Sequence, residues 1–190
     1  MHTKRSDAAT EDHSHLAPSG AWRLLDVEFG FHSSFGPVFF RETADEHLLL
    51  GFRCTQRHMN PAGFCHGGAL AGFADYAAIG AQYQLGFDRS VVPTVTLTVD
   101  FLQGVLLGDW VEARVEVTNK SGKMCHTQMV AWVDGKPALS SRGIFKLSSS
   151  REIAESPFYR QLRRLWPRAV ARSDHENTAG NFHALAHSGS

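Results

Sequence analysis

The chain of 190 residues lacks features that several large protein classes require. It has no excess charge of either sign, because 19 basic side chains balance 19 acidic ones. A nucleic-acid-binding protein needs a basic surface that displaces phosphate counterions, so no nucleic-acid partner is predicted. No apolar run approaches the length of about 18 residues that a membrane-spanning helix needs.

Cysteine is also sparse. The three cysteines, Cys54, Cys65 and Cys125, are far apart and form no CxxC pair, which argues against a disulfide framework or a zinc site. The spacing of His58, His66 and the tail histidines matches no zinc pattern either, so no metal is predicted. Because the first residues also lack the apolar stretch of a secretory signal, we predict a cytoplasmic protein.

Composition divides the chain into three segments. Residues 1–20 are polar and without periodicity, which predicts a disordered leader. Residues 21–147 carry the periodic patterns of one compact domain. Residues 148–190 form a basic extension, in which Leu162 and neighbouring apolar residues predict a short helix that ends before Pro167, followed by a disordered end.

Strict alternation of apolar and polar residues predicts antiparallel strands in the domain. The pattern is clearest at 94–101, where it places four apolar side chains on one face: Val95, Leu97, Val99 and Phe101. Similar patterns predict strands at 36–41, 47–54, 111–118, 124–133 and 138–147. Turns are predicted at 119–123 and 134–136, the second a tight hairpin.

One long helix is predicted between the early and late strands, from Gly67 to Leu85. Its interior is rich in glycine and alanine, which allows a sheet to approach closely, so the helix is expected to be buried. The sequence therefore predicts an α+β fold, in which a curved antiparallel sheet wraps around one long central helix.

The segment that precedes this helix has the features of an anion site. Gly67 and Gly68 stand at the predicted helix start, where backbone N–H groups have no partner within the helix. Such N–H groups, at the positive end of the helix dipole, can stabilise an oxyanion. The alternative is that the two glycines only make a tight turn into the helix.

Asp75 lies two turns into an otherwise apolar helix. A buried carboxylate is costly unless it has a partner or a task, so Asp75 is a candidate general base or nucleophile whose pKa burial would raise. The alternative is an aspartate that faces solvent or caps a loop. His66 is a candidate acid or orienting donor, or else a structural histidine. A Cys65–His66 nucleophile is disfavoured, since sequence neighbours do not make a catalytic pair.

The pattern N-x-x-G-x-x-H-G-G with a later aspartate resembles the PaaI-like hotdog-fold thioesterases of the 4-hydroxybenzoyl-CoA thioesterase-like superfamily. It is carried by Asn60, Gly63, His66, Gly67, Gly68 and Asp75, and the likeness extends over about residues 35–147. The resemblance implies a hotdog fold and hydrolysis of an acyl-CoA thioester without metal or cofactor.

The resemblance also implies roles for single residues. The Gly67 N–H and the Asn60 side chain would polarise the thioester carbonyl, Asp75 would activate water or attack directly, and His66 would orient the substrate. Gly63 and Gly68 would contact the substrate. A hydroxyl from the strand after the helix would position water, with Thr94 the first choice and Thr96 the second.

In the family that this pattern resembles, the site lies between two subunits, which implies a homodimer or a homotetramer built as a dimer of dimers. Two other functions are compatible with a hotdog domain: a sensor that binds acyl-CoA without turnover, and a dehydratase or hydratase. The presence of Asp75 argues against the first. The spacing of aspartate and histidine argues against the second.

Overall fold

A computed structural model describes residues 13–26, 30–87 and 89–170. In this part of the chain one sheet is built from β1 (Arg23–Leu24), β2 (Phe39–Glu42), β3 (Leu48–Arg53), β4 (Ser90–Phe101), β5 (Trp110–Ser121), β6 (Met124–Val133) and β7 (Lys136–Ser148). Neighbouring strands are antiparallel and follow the order β1-β2-β3-β5-β6-β7-β4. The strand β4 therefore lies at an edge of the sheet.

The predicted strands are all present, with small shifts at their ends. The hairpin between β6 and β7 turns at Asp134 and Gly135, whose φ angles of 48° and 75° suit a tight two-residue turn. The preceding turn is shorter than predicted, because β5 continues to Ser121 and only Gly122 and Lys123 lie outside the two strands. The two-residue strand β1 was not predicted, since it is too short to show a period.

The central helix is present but interrupted. It consists of α2 (Gly67–Asp75) and α3 (Ala77–Leu85), separated at Tyr76, where the sequence predicts one continuous helix. Shorter α-helices include α1 (Phe31–Phe35), α4 (Arg151–Ala154) and α5 (Pro157–Leu165), and residues 167–170 are also helical. None of the helices in the described residues is long and apolar enough to cross a membrane.

The small residues of the central helix allow the close approach to the sheet that the sequence predicts. Gly80 is the clearest case, because a Cβ atom added there would lie 2.6 Å from the Cβ of Val115 on β5. At Gly72 the nearest atom to an added Cβ, at 2.8 Å, is instead the ring tip of Phe31, a side chain that is 59% exposed.

This difference predicts opposite outcomes for two alanine substitutions in the same helix pair. Gly80→Ala is expected to lower the free energy of unfolding by about 1–3 kcal/mol, because helix and sheet must move apart. In Gly72→Ala the exposed Phe31 ring can move aside, and alanine gains up to about 1 kcal/mol of helix propensity. Urea denaturation followed by circular dichroism measures both, and equal stability losses would contradict the packing argument.

The apolar face of β4 is less buried than its alternation predicts. Val95 is 52% and Phe101 53% exposed, while Leu97 and Val99 are only partly buried. The physical reason is the position of β4, which has β7 on one side and, among the described residues, no strand on the other. A long apolar edge strand of this kind invites pairing with another chain.

The hydrophobic core extends past the predicted domain boundary at residue 147. The amphipathic helix α5 buries Tyr159 and Leu162, and Trp166 after it is fully buried edge-on against Phe40 and Tyr83. The end of the predicted leader is also in contact with the domain, because Arg53 Nε donates to the carbonyl of Leu16 at 2.9 Å. Of the predicted disordered leader, residues 1–12 lie outside the described residues, and so does the whole of the predicted disordered end.

Candidate active site

The loop that precedes α2 is held in shape by the side chain of Asn60. Its Oδ1 accepts hydrogen bonds from the backbone N–H groups of Ala62, at 2.9 Å, and Phe64, at 3.2 Å. Between them Gly63 has φ of 84°, a conformation that favours glycine. Glycine at position 63 therefore allows the backbone conformation of this loop, and a contact of Gly63 with substrate stays a prediction. The Asn60 amide hydrogens make no hydrogen bond within the described residues, so they can serve a ligand.

His66 is the N-cap residue of α2. Its Nδ1 accepts a hydrogen bond from the Gly68 N–H at 2.8 Å, and its carbonyl accepts from the N–H groups of Ala69 and Leu70. Because Nδ1 is the acceptor, the proton of the neutral ring lies on Nε2. The Gly67 N–H makes no hydrogen bond to the described residues. It is the free donor at the positive end of the helix.

The two glycines at the helix start meet different constraints. A Cβ atom at Gly68 would lie 2.9 Å from His66 Nδ1, so glycine at this position makes room for the histidine cap. A Cβ atom at Gly67 would lie 3.5 Å from the ring of Phe101, which is an ordinary contact. The Gly68 N–H is thus occupied by His66, and a contact of Gly68 with substrate stays a prediction.

Asp75 lies at the other end of α2, where its Oδ1 accepts a hydrogen bond from the Thr94 hydroxyl at 2.8 Å. Both side chains are exposed in the single chain. The burial expected around Asp75 is therefore absent, because the residue lies on the open side of the helix, next to the edge strand β4. Of the two candidate threonines, the structure brings Thr94 to the carboxylate.

A β-bulge explains why Thr94 and not Thr96 reaches Asp75. Thr94 pairs with Phe145, whereas Thr96 pairs with Ile144. Between these two pairs β4 therefore contains one more residue than β7. Neighbouring residues of a strand face opposite sides of a sheet, so the bulge turns Thr96 away from the side that Thr94 faces. The alternation in the sequence alone places both threonines on one face.

The Gly67 N–H and Asp75 are too far apart within one chain to act on one carbonyl group. They are eight residues apart in the same helix, which corresponds to about 12 Å along its axis at 1.5 Å per residue. A reacting atom must lie about 3 Å from both the donor and the base. One described chain therefore carries the candidate donor and the candidate base at separate places.

A cavity of about 500 Å³ opens beside Asp75 and Thr94, and we call it the Asp75 cavity. Burial is the main cause of a lowered pKa of His32 in its wall, and Asp75 opposes that shift. Burial also raises the pKa of Tyr76, and the charge of Asp75 adds to it. Among the described side chains that line the cavity, Asp75 is the only carboxylate and no lysine or arginine is present.

The described cysteines do not form a nucleophile with His66. Cys65 is buried, and its Sγ lies 3.9 Å from the backbone carbonyl of His66, whose ring Nδ1 bonds to Gly68 instead. The hydrogen bond with Cys54 and burial both raise the pKa of Cys65 above its ordinary value. A thiol that resists ionisation is a poor nucleophile.

Several residues at the Asp75 cavity were not predicted from the sequence. Phe31 and His32 come from α1, and Phe158, Tyr159 and Leu162 come from α5. The amphipathic pattern of the extension signals a helix that packs against something, but it does not identify the surface. The α1 pair carries no recognisable motif, because its position follows from tertiary packing alone.

The chain is similar to a thioesterase family model and to a protein named as an esterase. The family model described as the thioesterase superfamily matches residues 62–138, which span the loop, the central helix and β4 to β6. A Pseudomonas aeruginosa protein whose name assigns it to the esterases is 30% identical over 136 residues, which cover 65% of this chain and 99% of that protein.

Solved structures share the fold at low sequence identity. A hypothetical thioesterase from Streptococcus pneumoniae with coenzyme A has a TM-score of 0.56 and 18% identity, covering 63% of this chain and 91% of that one. Thioesterase superfamily member 2 of zebrafish has a TM-score of 0.54 and 16% identity, covering 64% and 88%. These likenesses confirm the hotdog fold.

Proposed function

The chain belongs to the thioesterase superfamily, and from that premise we propose that it hydrolyses an acyl-CoA thioester to a free acid and CoA. The observation that carries the proposal is the hydrogen-bonded pair of Asp75 and Thr94 at the mouth of a cavity, with a free N–H donor at Gly67. The coenzyme A bound to the streptococcal structure supports a CoA substrate.

In this proposal the Asp75 carboxylate takes a proton from water, and the water oxygen attacks the thioester carbonyl carbon. Direct attack by Asp75 is the alternative route. Thr94 donates to Oδ1 and so fixes the carboxylate. The negative charge that develops on the carbonyl oxygen is stabilised by the Gly67 N–H and the Asn60 amide. The carbon–sulfur bond then breaks, and the CoA sulfur leaves and takes up the proton that Asp75 accepted from water.

His66 acts as a positioning residue in this scheme. By accepting the Gly68 N–H it fixes the first turn of α2 and leaves the Gly67 N–H as the donor that points out of the helix. Its Nε2–H remains available to orient the substrate.

Since Gly67 and Asp75 lie at opposite ends of α2, we propose that the complete site needs two copies of the chain. Thr94 marks the Asp75 end of β4, and Phe101, whose ring lies next to Gly67, marks the other end. If the two β4 edges pair in antiparallel fashion around a two-fold axis near Leu97, the Gly67 end of one subunit meets Asp75 of the partner subunit. Each dimer then contains two sites.

The activity is tested by incubating the purified protein with a panel of acyl-CoA thioesters and titrating released CoA with a thiol reagent. We expect turnover above the buffer rate for at least one acyl class. A protein that binds acyl-CoA but releases no CoA from any member of the panel would be a non-catalytic binder and would contradict the proposal.

The role of the Gly67 N–H is tested by Gly67→Pro, which removes this donor. Proline is tolerated at the first helical position, and His66 already has the extended conformation that precedes proline, with φ of −63° and ψ of 134°. We expect kcat to fall about 10²–10³-fold, the usual effect of losing one oxyanion donor. The matched control Gly67→Ala keeps the N–H, and an equal loss in both variants would refute the assignment.

A further inference from the structure

Both exposed and buried residues line the Asp75 cavity. Asp75 and Thr94 are exposed, whereas Val91, Phe145 and Leu162 are buried. Its volume of about 500 Å³ falls within the range of ligand pockets, about 300–1,000 Å³. A group attached to a carbonyl carbon at Asp75 can therefore extend towards these buried residues.

Part of the cavity wall comes from the helix α5. Phe158, Tyr159 and Leu162 of α5 line the cavity, and Leu162 has no exposed surface. The Tyr159 hydroxyl donates to the carbonyl of Val91 on β4 at 3.2 Å, so the helix is hydrogen-bonded to the strand that carries Thr94. The α5 side chains thus lie where the end of an acyl group would reach.

The same helix is anchored firmly enough to act as a fixed wall. Ser156 caps its N-terminus, and Trp166 after its end is fully buried against the rings of Phe40 and Tyr83. Arg163 donates to the carbonyl of Ala154 at 2.7 Å and lies over the ring of Phe87. Because both ends are fixed, removing a side chain from the wall is expected to enlarge the cavity.

The helix α5 lies outside the segment that the family model matches, which ends at residue 138. The wall is therefore built from a part of the chain that the superfamily pattern does not include.

The charge of the cavity also limits its ligands. A negatively charged acyl tail would lack a lysine or arginine partner, because no described lining side chain is of either type.

We propose that α5 is the specificity element of this enzyme: it closes the Asp75 cavity, which takes an uncharged apolar acyl group, and Leu162 and Phe158 set its upper length. This inference rests on the proposed thioesterase function. It predicts that wild-type kcat/KM rises by about fourfold per methylene until the chain reaches α5, and then falls. Dicarboxylic acyl-CoA thioesters of matched length are expected to be poor substrates.

The test compares straight-chain acyl-CoA thioesters from four to sixteen carbons in wild type and variants. Leu162→Ala is expected to move the optimum to chains longer by at least two carbons. Leu162→Trp is expected to lower kcat/KM for the longest substrates at least tenfold. Phe158→Ala, at a less buried position, provides a second enlargement if Leu162→Ala fails to fold.

The matched control is Leu165→Ala, which removes the same side chain from the same helix at a position that packs on the core but does not line the cavity. It is expected to keep the wild-type optimum. The inference is overturned if the folded Leu162 and Phe158 variants have the same chain-length profile as this control.

Binding of non-hydrolysable S-alkyl-CoA thioethers, measured by calorimetry, separates failure of this inference from failure of the proposed function. If no acyl-CoA is hydrolysed but the preferred alkyl length still shifts in Leu162→Ala, only the hydrolytic proposal fails. If thioesters are hydrolysed and neither profile shifts, only the role of α5 fails.

Discussion

The Asp75→Asn variant is expected to lose thioesterase activity by about 10²–10⁴-fold, while its thermal stability stays close to that of wild type. Asparagine keeps the shape of the side chain, and its Oδ1 can still accept the hydrogen bond from Thr94, which is 2.8 Å in the native pair. What it cannot do is accept a proton from water, and general-base catalysis contributes about this factor. Release of CoA under saturating substrate measures the loss in kcat.

The matched control is Asp134→Asn, which removes an exposed carboxylate at the hairpin between β6 and β7, where asparagine also tolerates the positive φ. Its kcat is expected to stay within about twofold of wild type, since surface charges away from the reacting atoms act only weakly. An Asp75→Asn protein that is folded and retains more than a tenth of wild-type kcat would show that this carboxylate is neither base nor nucleophile.

The Leu97→Glu variant is expected to dissociate the proposed dimer and to reduce activity about 100-fold or more. Leu97 lies near the midpoint between Thr94 and Phe101, so the two copies of this residue would approach each other at the two-fold axis. Two carboxylates placed there repel each other and lose solvation. Light scattering coupled to size exclusion gives the mass, and the CoA-release assay gives the activity of the same sample.

Met124→Glu is the control for this variant, because it also replaces an apolar strand residue that is at least partly exposed, at the hairpin between β5 and β6. It is expected to leave both mass and activity unchanged. A Leu97→Glu protein that is monomeric, folded and fully active would contradict a site shared between two subunits.

Complementation provides an independent check of the shared site. Asp75→Asn and Gly67→Pro each inactivate both sites of their own homodimer, but a mixed dimer combines the two defects in one site and leaves the other site intact. With random assembly half of the dimers are mixed, so roughly a quarter of wild-type activity is expected to return. No recovery in a co-expressed sample would indicate that both groups act within one chain.

The sequence alone was sufficient for the parts of this protein that depend on local patterns. Alternation in β4 to β7 predicted the strands because one face of each packs on the core or a neighbour. The glycine- and alanine-rich segment predicted a helix pressed against the sheet, which the close approach of Gly80 to Val115 confirms. The motif from Asn60 to Asp75 identified the family, since its residues lie on consecutive elements and keep fixed spacing.

Only the tertiary structure decided which of these groups meet. The bulge in β4 selects Thr94 over Thr96, the edge position of that strand leaves Val95 and Phe101 exposed, and the length of α2 separates Gly67 from Asp75. The extension shows a helical pattern in the sequence, yet the place of α5 beside the Asp75 cavity follows from long-range packing. Local periodicity indicates which face of a helix or strand is apolar. The surface against which that face packs is determined by contacts between residues far apart in the chain.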